Sequence, residues 1–308
     1  MITYYHSTAR ARALVTVDEA KVGSWCHVVQ PSANELDTIA EKFELDRDIL
    51  NDAIDAYEAP RVEVDNGITY VFARYCRPED PDIPTEPILI IYTNSAIVTI
   101  MRSNDNVLDQ IINGVVPILT TQKTKTFLHI LEQINRSYRL QLNIVAKQIL
   151  GFRSLLRQTD VSSVAIIRFI ELEEDLNEFL TALQPQALVL NALESGKYMR
   201  LYEDDKDLVE DIMLSTDELI QLSKSRLRSV VNIRQAYDVI ATNNLNKTFR
   251  RLTSITIFLT VPMIFGGLFG MNVALPLQDN TYAFAIILVL IILVMFAVYR
   301  YFKKRSWF

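Results

Sequence analysis

Cysteine is scarce in this chain. Only Cys26 and Cys76 occur in 308 residues, far apart and in no metal-type spacing. A disulfide framework is excluded, and a reducing compartment is the simpler setting. The three histidines, His6, His27 and His129, form no metal or triad spacing, and no Ser or Cys has a paired base in sequence. Glycine is also sparse. A P-loop would need glycine five residues before Gly196-Lys197, and Asn191 stands there. These gaps leave no route to ATP hydrolysis or covalent catalysis, so the chain reads as no enzyme and needs no nucleotide. Any transport role would be passive and driven by the membrane potential. The stretch from Met1 to Arg12 has no apolar core, so no secretory signal is expected.

What is present is an uneven distribution of charge and apolarity. Hydrophobic residues make up 50% and charged residues 22%, which excludes wholesale disorder. From Asn246 onward there are seven basic residues and one acid, Asp279, a net charge of +6. Residues 1–245 hold 24 basic and 36 acidic residues, a net charge of −12. An acidic body joined to a basic tail argues against nucleic acid as a partner. It suits a body that attracts cations and a tail that meets a membrane. Leu252–Phe269 and Ala283–Tyr299 are uncharged runs that, with their flanks, reach the roughly 20 residues a spanning helix needs. Lys247, Arg250 and Arg251 precede the first run, and Arg300, Lys303, Lys304 and Arg305 follow the second. The loop Asn272–Asn280 has no Lys or Arg. The positive-inside rule therefore puts both termini in the cytoplasm of a multi-pass protein of the cell membrane.

The remainder reads as a cytoplasmic body. Strands are expected at Trp25–Val29, Thr69–Tyr75, Pro87–Thr93 and Ser95–Met101. A helix opens after Pro31, with Ser32 as N-cap and Glu35 completing a capping box. Pro78, Pro81, Pro84 and Pro87, interleaved with Glu79, Asp80, Asp82 and Glu86, predict an exposed acidic loop. From Lys123 to Leu156 apolar residues recur at spacings of three and four, predicting a long helix. A second helix is expected from Val161 to about Leu193. A third starts near Asp205 and meets no Gly or Pro before Pro262. If that helix runs on through Phe269 it is about 100 Å long. The fold class is an α+β membrane protein: an N-terminal α/β cytoplasmic domain, a long helical stalk and two C-terminal transmembrane helices. The boundaries are a cytoplasmic α/β domain at 1–116, a long-helix stalk region at 117–245, a pore-lining stalk end with the first span at 246–272, an extracellular loop at 273–281, the second span at 282–302 and a basic tail at 303–308.

The first run carries a polar stripe. Asn246, Thr253, Thr256, Thr260, Met263, Gly267 and Gly270 follow one another at helical spacing. Such a stripe lines a pore or packs helices together, since Gly266 and Gly270 form a small-xxx-small pair. The second run has no such stripe and reads as lipid-facing.

The first run ends in Gly270-Met271-Asn272. This resembles the Gly-Met-Asn signature of the CorA magnesium channel family. The tail Tyr299-Arg300-Tyr301-Phe302-Lys303-Lys304-Arg305 is similar to the family's basic ending. Trp25, Pro31, Glu35 and Leu36, and Asp52, Asp55, Glu58, Pro60, Arg61 and Glu63, resemble its N-terminal pattern. The resemblance implies a homopentamer with a cytoplasmic funnel, its first spans lining the pore and its second spans forming an outer ring. It implies passage of hydrated Mg²⁺, with Co²⁺ and Ni²⁺ as further cargo. The selectivity filter would be Gly270, Met271 and Asn272, because an Asn side-chain carbonyl can accept hydrogen bonds from the waters that Mg²⁺ sheds reluctantly. Rings of Phe249 and Leu252 match the apolar constriction and would gate by dewetting. Leu208-Val209-Glu210-Asp211 resembles the segment that carries a regulatory Mg²⁺ ligand. Asp211 is therefore the candidate, with Glu79, Asp80 or Asp82 as its partner across a subunit boundary. The loop acid frequent in the family is missing. The alternatives are the zinc-transporting branch of the same superfamily, against which Met271 argues, and a membrane-anchored acidic scaffold, against which the stripe and Asn272 argue.

Overall fold

Seven strands make one sheet among the described residues, and their patterning explains why both of its faces are covered. The computed structural model describes residues 1–10, 13–77, 84–155, 163–273, 276 and 280–305. The strands are β1 (Ile2–His6), β2 (Val15–Val17), β3 (Ser24–Val29), β4 (Arg61–Asp65), β5 (Ile68–Cys76), β6 (Thr85–Tyr92) and β7 (Ala96–Met101). Their order is β2-β1-β3-β7-β6-β5-β4. Only β3 and β7 pair in parallel, with Ser24 opposite Ala96; the other pairs are antiparallel. Between β4 and β5 the two turn residues Asn66 and Gly67 both have positive φ, 48° and 78°. That is the two-residue hairpin turn whose twist matches the strands, and it sets Asp65 opposite Ile68.

Every residue of β5 is buried, which a strand covered on one face only could not achieve. Tyr70 and Phe72 join one core with Leu36 and Ile39 of α1 (Ala33–Phe43) and Leu50 of α2 (Arg47–Asp52). Ser32 caps α1 through the expected reciprocal bonds with Glu35. The opposite face meets α4 (Lys123–Leu155) and α5 (Ser163–Glu194). In the chain, a short helix, α3 (Asp109–Ile112), comes after β7 and before α4. The apolar stripe of α4 is the buried one: Phe127, Leu131, Ile134, Tyr138, Leu142, Val145 and Ile149 are all inside. Tyr138 donates its hydroxyl to the Arg74 carbonyl at 3.0 Å and stands edge-on to Phe179 of α5. The helix runs through Gly151 without breaking. The expected helix residues Leu156 and Val161 lie outside the described residues.

One expectation fails in this region. Pro87 lies in β6 within the expected strand, but Glu86 belongs to the same strand and is wholly buried. Its carboxylate accepts from Arg102 at 2.6 and 3.1 Å and pairs with Arg77 at 3.4 Å. Two guanidinium groups offset the desolvation that makes an unpaired buried carboxylate untenable, so Glu86 does not belong to an exposed loop.

A chain of buried amides joins sheet to helices. The Arg74 backbone N–H donates to Gln186 Oε1 at 3.4 Å, and Gln186 Nε2 donates to Asn135 Oδ1 at 3.4 Å. Asn135 Nδ2 donates to Thr216 Oγ1 at 2.8 Å and to the Ile212 carbonyl at 3.1 Å. Thr216 and Ile212 belong to α6 (Glu203–Phe269), a helix of 67 residues that continues through Pro262. Its first turn is capped by Asp205, which accepts from the Tyr202 N–H at 3.0 Å. The last helix is α7 (Ala283–Lys304). The chain forms two compact units, Met1–Ile233 and Arg234–Phe308. In the second unit the apolar windows of α6 and α7 are 6% and 0% buried. Core helices of a soluble protein would be mostly covered, so these two are built for lipid.

Candidate functional site

The end of α6 is shaped by glycine. The Gly270 N–H donates to the Gly266 carbonyl at 3.0 Å, and Met271 N–H reaches the Leu268 carbonyl at 3.5 Å. A Cβ placed on Gly270 would lie 2.9 Å from the Gly266 oxygen, too close for any side chain, whereas one on Gly266 or Gly267 would meet nothing within 4 Å outside its own helix backbone. The glycine is therefore demanded by the carbonyl of the turn that precedes it. Met271 and Asn272 follow at once and are exposed. The Asn272 side chain makes no hydrogen bond among the described residues, so its carbonyl and amide are open to a ligand or to water.

Below this tip the hydroxyls of α6 are turned in one chemical sense. Thr256 donates to the Leu252 carbonyl at 2.9 Å and Thr260 to the Thr256 carbonyl at 2.8 Å. A threonine hydroxyl has one proton and two lone pairs. With the proton spent on the preceding turn, what Thr256 and Thr260 offer outward is lone pairs. Asn246, Thr253, Met263 and Gly267 are exposed on the same helix, as are Phe249 and Leu252, 56% and 60% accessible. Ser254, which the stripe does not include, is buried and donates to the Arg250 carbonyl at 2.8 Å.

In the first unit Asp211 is exposed, one residue before Ile212, whose carbonyl Asn135 holds. No group of three or more His, Cys, Asp or Glu suited to a metal occurs among the described residues. Glu79, Asp80 and Asp82, named as partners of Asp211, lie outside the described residues, as does Asp279.

An acidic face on α5 adds a feature without a motif. Asp175 is half-buried, and burial together with Glu171 and Glu178 raises its pKa to about 6, with Arg168 opposing. Glu178 accepts from Thr85 Oγ1 at 2.7 Å and lies 3.5 Å from Arg74. The guanidinium of Arg74 also donates to the carbonyls of Ala56 and Glu58, both at 2.9 Å. Nothing in the sequence pattern marks Arg74 as the hub of this corner, because its partners come from four distant segments.

The chain is similar to known proteins over most of its length. A family model described as CorA-like Mg2+ transporter protein matches residues 20–304. A curated relative named cobalt/magnesium transport protein CorA, from Methanocaldococcus jannaschii, is 26% identical over 92% of this chain and 90% of its own length. The complete structure of the CorA magnesium transporter from that organism superposes with a TM-score of 0.87 at 20% identity, covering 100% of this chain and 99% of the other. The ZntB cytoplasmic domain from Vibrio parahaemolyticus shares the fold of the body, with a TM-score of 0.62 at 12% identity over 79% of this chain and 98% of that domain.

Proposed function

Since the chain belongs to the CorA-like Mg2+ transporter family, we propose that this membrane-embedded divalent-cation transporter is a homopentameric channel passing hydrated Mg²⁺ into the cell. Two spans per chain cannot enclose an aqueous path, so the conducting form is an oligomer. The α6 helices line the pore with Asn246, Thr253, Thr256, Thr260, Met263 and Gly267, and the α7 helices face lipid. The observation that carries this reading is the outward lone pairs of Thr256 and Thr260 below the open Asn272. Such a surface accepts hydrogen bonds from the waters around a hard cation and offers no proton to it.

Gly270, Met271 and Asn272 form the filter. Rings of Asn272 carbonyls receive the hydrated ion at the outer mouth. Phe249 and Leu252 close the cytoplasmic neck by dewetting. A divalent ion gains about 4.6 kcal/mol per 100 mV of inward-negative potential, so influx needs no nucleotide. Control comes from cytosolic Mg²⁺ bound between subunits by Asp211 and an acid of Glu79, Asp80 or Asp82, which holds the closed state. Both termini lie in the cytoplasm.

The test is uptake by the purified full-length protein in liposomes, with Mg²⁺, Co²⁺, Ni²⁺ and Zn²⁺ compared under an imposed potential. Potential-driven Mg²⁺ entry is expected. Selective Zn²⁺ entry would move the chain to the zinc-transporting branch, and absence of any uptake would reduce it to an anchored scaffold.

A further inference from the structure

The second unit poses an electrostatic problem. A cation pathway runs through residues 246–308, which carry seven basic side chains near the span ends and one acid, the loop residue Asp279. Basic charge close to the path would repel the cargo. All seven are exposed, and none makes an ion pair among the described residues.

Helical phase shows where they point. At about 100° per residue, the stripe of Asn246, Thr253, Thr256, Thr260, Met263 and Gly267 occupies an arc of about 100°. Lys247 and Arg251 lie about 150° and 170° round the helix from its centre, and Arg250 about 90°. The α6 cluster therefore faces away from the polar stripe. On α7 the buried residue near the C-terminus is Phe302. Arg300 and Lys304 lie about 160° from it and Lys303 about 100°, again on the open side. Lys303 stands 5.8 Å over the Tyr299 ring and Arg305 5.9 Å over Tyr301. Tyrosines at a span end sit at headgroup depth, so these contacts hold two of the cations at that level.

We propose that the outward basic clusters at the two span ends form a binding surface for the anionic headgroups of cytoplasmic-leaflet phospholipids. The lipid phosphates neutralise charge that the protein itself leaves unpaired, and the pore keeps its neutral lining. Each cluster alone holds three or more cations with no carboxylate in its segment, which fits a headgroup of net negative charge and not a zwitterionic one, whose ammonium the cluster would repel. The inference rests on the inward orientation of both span ends proposed above.

The experiment reads lipid association and not flux. The full-length protein is reconstituted in phosphatidylcholine vesicles that carry a trace of spin-labelled phosphatidylglycerol or spin-labelled phosphatidylcholine. The motionally restricted fraction then gives the relative association constant. One cation near the surface favours an anionic lipid by about 1 kcal/mol, which is about fivefold. A preference of at least that size for phosphatidylglycerol is expected, and it should weaken in 0.5 M salt as screening shortens to a few ångströms. Lys303→Gln/Lys304→Gln should lower it, and Lys247→Gln/Arg251→Gln should lower it again when combined. Equal association of the two lipids with the wild type, or an undiminished preference in the combined variant, overturns the proposal. Label in both leaflets makes the readout independent of orientation, and trypsin cleavage at the tail reports orientation separately. Loss of uptake with the lipid preference intact would count against the channel and leave this surface standing.

Discussion

Replacing Gly270 by alanine is the sharpest probe of the pore mouth. The added methyl would sit 2.9 Å from the Gly266 carbonyl oxygen, where ordinary contact starts at 3.4 Å. The last turn must open by about half an ångström, a distortion that overpacking data put at about 1–3 kcal/mol. The bond from Gly270 N–H to that carbonyl is strained with it, a further loss of about 1 kcal/mol. A total of about 2–4 kcal/mol moves the local equilibrium by about 30-fold or more, and Asn272 shifts with it in every subunit. Potential-driven Mg²⁺ entry into liposomes should fall at least tenfold, while the oligomer measured by mass in detergent is unchanged. Gly266→Ala is the control, since its methyl meets nothing within 4 Å outside its own helix backbone. Wild-type uptake by Gly270→Ala would refute the steric argument. Equal inactivation by Gly266→Ala would show that helix packing, and not the tip, is what the glycines serve.

Asn272→Ala should abolish Mg²⁺ uptake without loss of assembly, and normal uptake by an assembled mutant removes Asn272 from the filter. Asp211→Ala should leave conduction intact and shift the inhibition by internal Mg²⁺ to higher concentration, since a ligand shifts an equilibrium only by its differential affinity; an unchanged midpoint would assign Asp211 to plain surface charge. Asp175, with its pKa raised to about 6, binds its proton more tightly in the folded protein than in the unfolded chain. It therefore costs stability as pH rises from about 4 through 6. Asp175→Asn should raise the thermal midpoint at pH 7.5 and leave it nearly unchanged at pH 4, and the reverse pattern would contradict the sign. Asn135→Leu strands the buried Gln186 Nε2 donor, at about 1–3 kcal/mol, and should lower the melting temperature more than Asn191→Leu does on exposed α5 surface.

The parts of this fold that could be read from the sequence are those governed by local pattern. The α4 stripe declares itself because buried residues recur every three or four positions, and the two spans because a bilayer tolerates no charge in them. Ser32 and Glu35 predict the start of α1 because a cap is a contact within four residues. What stayed hidden depends on distance along the chain. Glu86 looks like loop material beside prolines and acids, and it takes Arg102, sixteen residues on, together with Arg77, nine residues before, to make its burial tolerable. The Arg74–Gln186–Asn135–Thr216 chain spans 142 positions, and each member alone is an ordinary polar residue. The short strands β1 and β2 carry no periodic signal strong enough to separate them from loop. The site is legible in a different way. A pore made by symmetry needs each chain to present one face, so its residues share a helix stripe and never meet within a single chain. Local spacing displays that stripe, but the meaning of Gly270-Met271-Asn272 came from family resemblance and not from spacing.

The distribution of carboxylates follows from what each region has to do with a divalent ion. A ring of carboxylates in the pore would hold Mg²⁺ strongly, and a site that binds strongly releases slowly. Conduction requires binding favourable enough to admit the ion and weak enough to let it go. The proposed path meets this with amide carbonyls and hydroxyl lone pairs, which contact the water shell and carry no net charge. A sensor has the opposite requirement, because it must stay occupied at the cytosolic concentration it reports. Net charge on the carboxylates proposed to converge between subunits is then useful, since their repulsion would open the assembly when the ion leaves. The chain keeps these demands apart by placing 36 of its 37 acids before residue 246. On this reading a carboxylate moved into the path, as in Thr260→Glu, should slow Mg²⁺ entry while tightening Mg²⁺ binding. Faster entry at saturating Mg²⁺ would show that release does not limit conduction.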